Sequence, residues 1–211
     1  MLRQYNELYD FLRTPFLPTQ SEPAVAFGRN DKKVAQALGD LIIPDLVTIA
    51  VITGGIGKDS GDLLKRGFRS EADFIDTELT KDARSRSYPI PPILLEKKAK
   101  NGGENARLSL DILTSIGIAI NSLTAVAHAT SAQRLARTMA LYTSQRTNGI
   151  ATVHVKPTSY NFDPANPLDQ EEALSEFNRL ITWPQKGWLK DYGDLPPNLV
   201  DFVIDTMQTK L

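Results

Sequence analysis

The chain has no cysteine and only two histidines in 211 residues. The first absence excludes disulfides, thiolate metal sites and a cysteine nucleophile, and it fits a reducing compartment. Neither sign of charge is in excess. The formal net charge is −1, so the electrostatic footprint of a nucleic-acid binder is missing. Long apolar runs are missing too. Residues 116 to 129 are interrupted by Asn121, Ser122 and Thr124 and fall short of the ~18 residues a transmembrane helix needs. Met1 to Glu7 lack the apolar stretch of a signal peptide. Neither a membrane nor a nucleic-acid partner is expected, and a cytoplasmic location is. Tandem repeats and low-complexity segments are absent.

The residues that are present alternate between two patterns. Hydrophobic residues make up 41% and charged residues 23%, ordinary values for a globular chain with a substantial core. Leu2, Tyr5, Leu8, Tyr9 and Leu12 recur at helical spacing and predict a helix over 3–13. Pro15, Pro18 and Pro23 then predict an extended linker. Short apolar runs at 24–27, 48–53, 93–96, 123–127 and 151–155 predict five buried strands. Helical patterns fall between them, at 31–41, from Ser70 to about Ala83, from Asn101 to about Ser115, and from Thr130 or Ser131 to about Thr143. Ser70 with Asp73, Asn101 with Glu104, and Thr130 with Gln133 have the spacing of capping boxes. Residues 54–69 form a loop rich in glycine and lysine, long enough to suggest a lid or binding loop.

This alternation predicts an α/β fold: a Rossmann-like parallel sheet of about five strands flanked by helices. A tail from Asp163 onward, rich in proline and holding both tryptophans, predicts two or three helices packed on that sheet. The division expected is 1–22 for the N-terminal helix and linker, 23–160 for the ligand-binding domain, and 161–211 for a small helical appendage.

Ligands of such sheets bind beyond the carboxyl ends of the strands, so the strand-to-helix junctions carry the candidate site. Gly28 and Asn30 follow the first strand. Gly54, Gly55, Ile56 and Gly57 follow the second. Their backbone N–H groups could form a concavity for a carboxylate or phosphate, or the run could be a plain turn. The spacing is neither a dinucleotide-binding fingerprint nor a Walker loop, although Lys58 follows it. Glu71 and Glu104 open helices, where they either cap or accept hydrogen bonds from ligand hydroxyls and amines. Asn101 offers donors and acceptors to a ligand but reads most simply as a helix cap. Gly103 permits close backbone approach, and Asn105 has less capping use and is the better ligand candidate. Arg69 and Arg134 could grip an anion or pair on the surface.

His128 follows the fourth strand and is a candidate base or hydrogen-bonding group. His154 lies within the fifth strand and reads as buried or edge-satisfied. Ser131 has no obvious relay, which argues against a serine-hydrolase triad. No metal site is predicted, because no cluster has ligand spacing.

The ordered set Thr53-Gly54-Gly55-Ile56-Gly57, Arg69-Ser70-Glu71-Ala72, Glu96 with Asn101 to Arg107, and Gln133-Arg134 resembles the SanA/ElyC/YdcF family, most closely its soluble YdcF branch. The resemblance spans roughly residues 24–140. It implies a Rossmann-like fold and, for that branch, binding of S-adenosylmethionine with no established reaction. Ser131 stands where the family often has His, Ala99 and Gly102 stand where it often has Ser or Thr, and Pro23 stands where it often has Asp.

The leading expectation is therefore a protein that binds a nucleoside-type molecule, with the glycines of 54–57 at its acidic end. One alternative is a hydrolase or transferase of phosphate-containing substrates, with Glu71, Glu104 and His128 moving protons. Another is an interaction scaffold whose tail docks a partner or a second copy.

Overall fold

The computed structural model describes residues 1–57, 60–147 and 151–209. Helix α1 (Leu2–Leu12) leads into strand β1 (Glu22–Phe27), helix α2 (Lys33–Ile42) and strand β2 (Val47–Thr53). Helix α3 (Glu71–Arg86), strand β3 (Ile93–Glu96), helix α4 (Gly102–Ser115) and strand β4 (Ser122–Ala127) follow. Helix α5 (Ala132–Thr147), strand β5 (Thr152–Pro157), helix α6 (Pro167–Thr182) and helix α7 (Pro197–Gln208) complete the chain.

The five strands form one parallel sheet in the order β3-β2-β1-β4-β5. Every residue of β1 is buried, as expected for a central strand covered on both faces. Alternate residues serve the two faces. Ala24, Ala26, Ala50 and Ile52 meet Val34, Leu38, Ile75 and Leu79 of α2 and α3. Val25, Phe27 and Val51 meet Leu110, Leu113, Leu135 and Met139 of α4 and α5. The chain therefore changes face in the crossover from β3 through α4 to β4. Because β1 feeds α2 on one face and β4 feeds α5 on the other, a crevice opens between their carboxyl ends.

Three local expectations change. Pro23 lies inside β1, not in the linker, and the register shifts between Glu22 and Pro23. That irregularity lets a residue without an N–H enter a central strand. Thr130 and Ser131 form a 3-10 turn before α5, and their hydroxyls go to Glu172 and to the His128 carbonyl. Gln133 donates to the Thr14 carbonyl at 2.8 Å instead of closing a capping box. The caps at Ser70 and Asn101 form as read, each accepting from the N–H three residues on.

The two ends of the chain share a third core. Tyr5, Leu8 and Leu12 of α1 pack with Leu174, Phe177 and Leu180 of α6 and with Leu199 and Val203 of α7. The N-terminal helix and the appendage thus form one small helical layer. Among the described residues no helix is long and apolar enough to cross a membrane.

One buried polar cluster lies within the sheet. Glu22 is 2% exposed and accepts from the Thr124 hydroxyl at 2.5 Å. Its same oxygen lies 2.8 Å from His154 Nδ1, and its other oxygen is buried with no partner. Glu22→Leu should destabilise the fold by about 1–3 kcal/mol, because it strands the buried Thr124 hydroxyl and the half-buried His154. Adding His154→Phe should recover part of that loss, as an apolar pair replaces a polar one. Urea midpoints of the two variants check both statements.

Candidate functional site

The crevice between β1 and β4 holds a cavity of about 640 Å³. Gly28 and Arg29 after β1, His128 after β4 and Glu71 at the head of α3 line one part. Asn101, Gly102 and Asn105 of α4 and Arg134 of α5 line another. Glu172, Glu176 and Arg179 of α6 close it from the appendage side. Among the described residues, four basic ones line it (Arg29, Lys100, Arg134, Arg179), as do four acidic ones (Glu71, Glu171, Glu172, Glu176).

The glycines after β2 do not make an anion cradle. Gly54 N–H donates to the Glu96 carbonyl at 2.9 Å, and Gly55 N–H donates to the Ala99 carbonyl at 2.7 Å. Gly57 N–H donates to Ser60 Oγ at 2.7 Å. Only Gly57 of this run reaches the cavity wall, and Ile56 packs against the core. The carbonyls of Gly54 and Gly55 in turn accept from the first N–H groups of α3. Gly54 and Gly55 are required by backbone conformation and close approach instead. Gly54 has φ +134°, and a Cβ there would lie 2.7 Å from Glu71 Oε2. Lys58 lies outside the described residues.

Glu71 is 7% exposed and accepts from Ser60 at 2.8 Å. It thus joins the cleft wall to the loop after β2. Glu104 takes the helix-start role, one of the two expected of it. It accepts from Lys100 N–H at 2.8 Å, its own N–H goes to Asn101 Oδ1 at 2.9 Å, and its side chain is not on the cavity wall. The reciprocal cap consumes it, as helix-terminus chemistry predicts. Asn30 is also consumed, holding Asp62 and Arg66 of the following loop. Arg69 is exposed and away from the cavity, and Gly103 lies beside Tyr142.

Asn105 is buried, lines the cavity, and places Oδ1 3.1 Å from Thr53 Oγ1. Thr53 also donates to Glu96 at 2.7 Å. Glu96 then accepts from Lys98 N–H at 2.6 Å and Ala99 N–H at 3.1 Å. This chain shapes the junction before α4, so Asn105 has a structural partner as well as access to the cleft.

Arg134 is gripped by Glu176, which accepts from its Nε at 2.5 Å and its Nη at 3.2 Å. The same carboxylate takes Arg179 at 2.5 Å. Both guanidinium groups lie over the Trp183 ring, at 5.5 and 5.4 Å. Arg134 thus reaches the cleft already paired in fork geometry, within a cluster of two cations and one anion. Trp183 meets Trp188 edge-on at 5.3 Å.

His128 is 4% exposed. Burial, assisted by the charge of Arg29, pulls its pKa down to about 4. It is a neutral imidazole at physiological pH. Thr130 Oγ1 lies 2.8 Å from its Nδ1, and Tyr160 packs edge-on at 4.8 Å. Sequence reasoning missed Glu172, Glu176 and Arg179. Their spacing was the available signal, since these three recur on one helix stripe. Among the described residues no group of three or more His, Asp or Glu side chains could hold a metal ion.

No family model matches the chain. An uncharacterised protein of Streptomyces coelicolor is 28% identical over 116 residues, covering 55% of this chain and 49% of that one. The chain spans about half the length of that relative.

Two outcomes test this geometry. A Cβ at Gly28 would lie 2.5 Å from the Thr53 carbonyl oxygen and 2.7 Å from Glu71 Cβ. Gly28→Ala should therefore cost about 1–3 kcal/mol in a urea melt. At Gly103 the nearest atom is 3.4 Å away, and Gly103→Ala should be neutral or slightly stabilising.

The depressed pKa of His128 carries a pH signature. The unfolded chain binds this proton below about pH 6.5, whereas the folded chain resists it until about pH 4. Stability should fall as pH drops through that window, by at most about 3 kcal/mol. His128→Gln should show a flatter melting-temperature profile between those pH values.

Proposed function

We propose that the crevice binds a nucleoside-type small molecule carrying charge of both signs, with S-adenosylmethionine the first candidate. The observation that carries this reading is the cavity at the switch point of the sheet, lined among the described residues by both basic and acidic side chains. Open parallel sheets bind ligands there. A volume near 640 Å³ lies in the range of small-molecule sites. A purely anionic ligand would meet four carboxylates, and a purely cationic one would meet four basic groups. A zwitterion finds partners for both ends. The resemblance to the YdcF branch of the SanA/ElyC/YdcF family supplies the particular candidate. Family membership, a cytoplasmic location and a small molecule as the main partner belong to the same proposal.

Within this reading Glu71 receives hydroxyl or ammonium donors and Asn105 offers the rest of its carboxamide. Arg134 and Arg179, sharing one carboxylate, leave a residual positive charge for the acidic end. A second reading rests on His128, a buried neutral imidazole on the cavity wall. It would act as proton acceptor in a hydrolase or transferase, with Glu71 beside the cleft and Glu104 excluded by its capping role.

Titration calorimetry with S-adenosylmethionine, adenosine and inorganic phosphate separates these ideas. Saturable binding of S-adenosylmethionine is expected, and Glu71→Gln should weaken it about tenfold or more, since a charged hydrogen bond is worth roughly 1.5–3 kcal/mol. The melting temperature of that variant should stay near that of the wild type. Absence of heat with S-adenosylmethionine and adenosine alike would sink the binding reading. Turnover of phosphate esters that disappears in His128→Gln would favour the second.

A further inference from the structure

A line of hydrogen bonds runs from the appendage to the imidazole at the crevice. Arg29 donates to Glu172 Oε1 at 2.9 Å, and the Thr130 hydroxyl donates to the same oxygen at 2.6 Å. His128 Nδ1 lies 2.8 Å from Thr130 Oγ1. Burial opposes ionisation of Glu172, but Arg29 and the Thr130 hydroxyl outweigh it and lower its pKa, so the group is a carboxylate. A carboxylate only accepts. Thr130 has one proton, and Glu172 takes it. Toward His128 the threonine oxygen can then only accept, so Nδ1 carries the ring proton. A neutral imidazole has one N–H, and Nε2 is left as an acceptor.

Among the described residues, the other groups around the ring give Nε2 no hydrogen bond. Asp31 Oδ2 is 3.7 Å from Nε2, beyond hydrogen-bond range, and its other oxygen accepts from Lys33 N–H. Lys33 Nζ sits over the Tyr160 ring at 5.7 Å, and Tyr160 donates to Asp169, away from the imidazole.

We infer that Thr130 and Glu172 are positioning residues that hold His128 in its Nδ1–H tautomer, so that Nε2 offers the cleft an acceptor for a ligand N–H or O–H. The ligand class this selects has a donor at that point, such as a ribose hydroxyl, an exocyclic amine or an ammonium group. A ligand acceptor placed there would face a bare lone pair. The choice of ligand rests on the binding role proposed above, whereas the tautomer does not. The inference also makes α6 part of the site, because removing Glu172 would free the Thr130 proton to reverse the line.

Two-bond ¹H–¹⁵N correlation spectra of the unliganded full chain near neutral pH read the tautomer directly. The chain has two histidines, and His128→Gln assigns the signals. The wild type should show a pyrrole-type Nδ1 and a pyridine-type Nε2 at His128. Thr130→Val and Glu172→Met should each move the ring to the Nε2–H form, which the negative charge of Asp31, 3.7 Å from Nε2, then favours. Thr130→Ser should keep the wild-type pattern. A wild-type Nε2–H ring, or an unchanged Nδ1–H ring in both disrupting variants, would overturn the inference. The wild-type spectrum decides even where a variant fails to fold. Adenosine then supplies the second arm. If the tautomer is as stated but adenosine and S-adenosylmethionine leave the Nε2 shift untouched, the nucleoside reading fails and the positioning role stands.

Discussion

The geometry of this protein depends on one constraint: β1 and β4 are parallel neighbours whose following helices leave to opposite faces. Backbone pairing between Ala24–Ala26 and Thr124–Val126 holds the strands together. The crossover through α4 then obliges the two exits to diverge. A concavity at that point follows from chain connectivity and needs no special residue to create it. Side chains decide only what the concavity contains. Gly28 is small because the Thr53 carbonyl and Glu71 crowd it, and His128 emerges where β4 ends.

What fills the crevice comes largely from elsewhere. The helix α6 places three carboxylates into it, Glu171, Glu172 and Glu176. Glu172 reaches Arg29 and Thr130, on either side of the switch point. Glu176 takes Arg134 and Arg179. These contacts are half-buried or better, so they are screened less than surface pairs. They also answer why α6 presents its apolar residues Ala173, Leu174, Phe177 and Leu180 to α1 and α7. One stripe builds the third core while the opposite stripe reaches the site. The site and the helical layer are consequently held by the same element.

The junction glycines show how a local motif acquires its meaning from contacts. As a string, Gly54-Gly55-Ile56-Gly57 offers flexible backbone with donors to spare. In the fold each glycine N–H already has an acceptor, and the donors are drawn inward toward Glu96, Ala99 and Ser60. The loop is a brace between the end of β3 and the head of α3. The run therefore has no glycine N–H left to aim at the cavity.

Strand positions, the Ser70 and Asn101 caps and the α/β class were legible in the sequence, because they rest on contacts within a few residues. Hydrophobic periodicity and capping need only neighbours along the chain. Glu104 was already assigned a cap by its spacing, and that local use prevailed over a ligand role. Residues such as Glu172 and Glu176 read in isolation as solvated helix charges. Only the tertiary structure brings Glu172 to Thr130, 42 positions away in the chain, and to Arg29, 143 positions away. The burial of His128 is of the same kind. Its neutral state depends on walls built by α6, Tyr160 and Arg29, none of which a local pattern contains. The sequence alone determined where the first four strands end. Folding decided which charges meet there, because low-dielectric pairing depends on through-space distance and not on spacing along the chain.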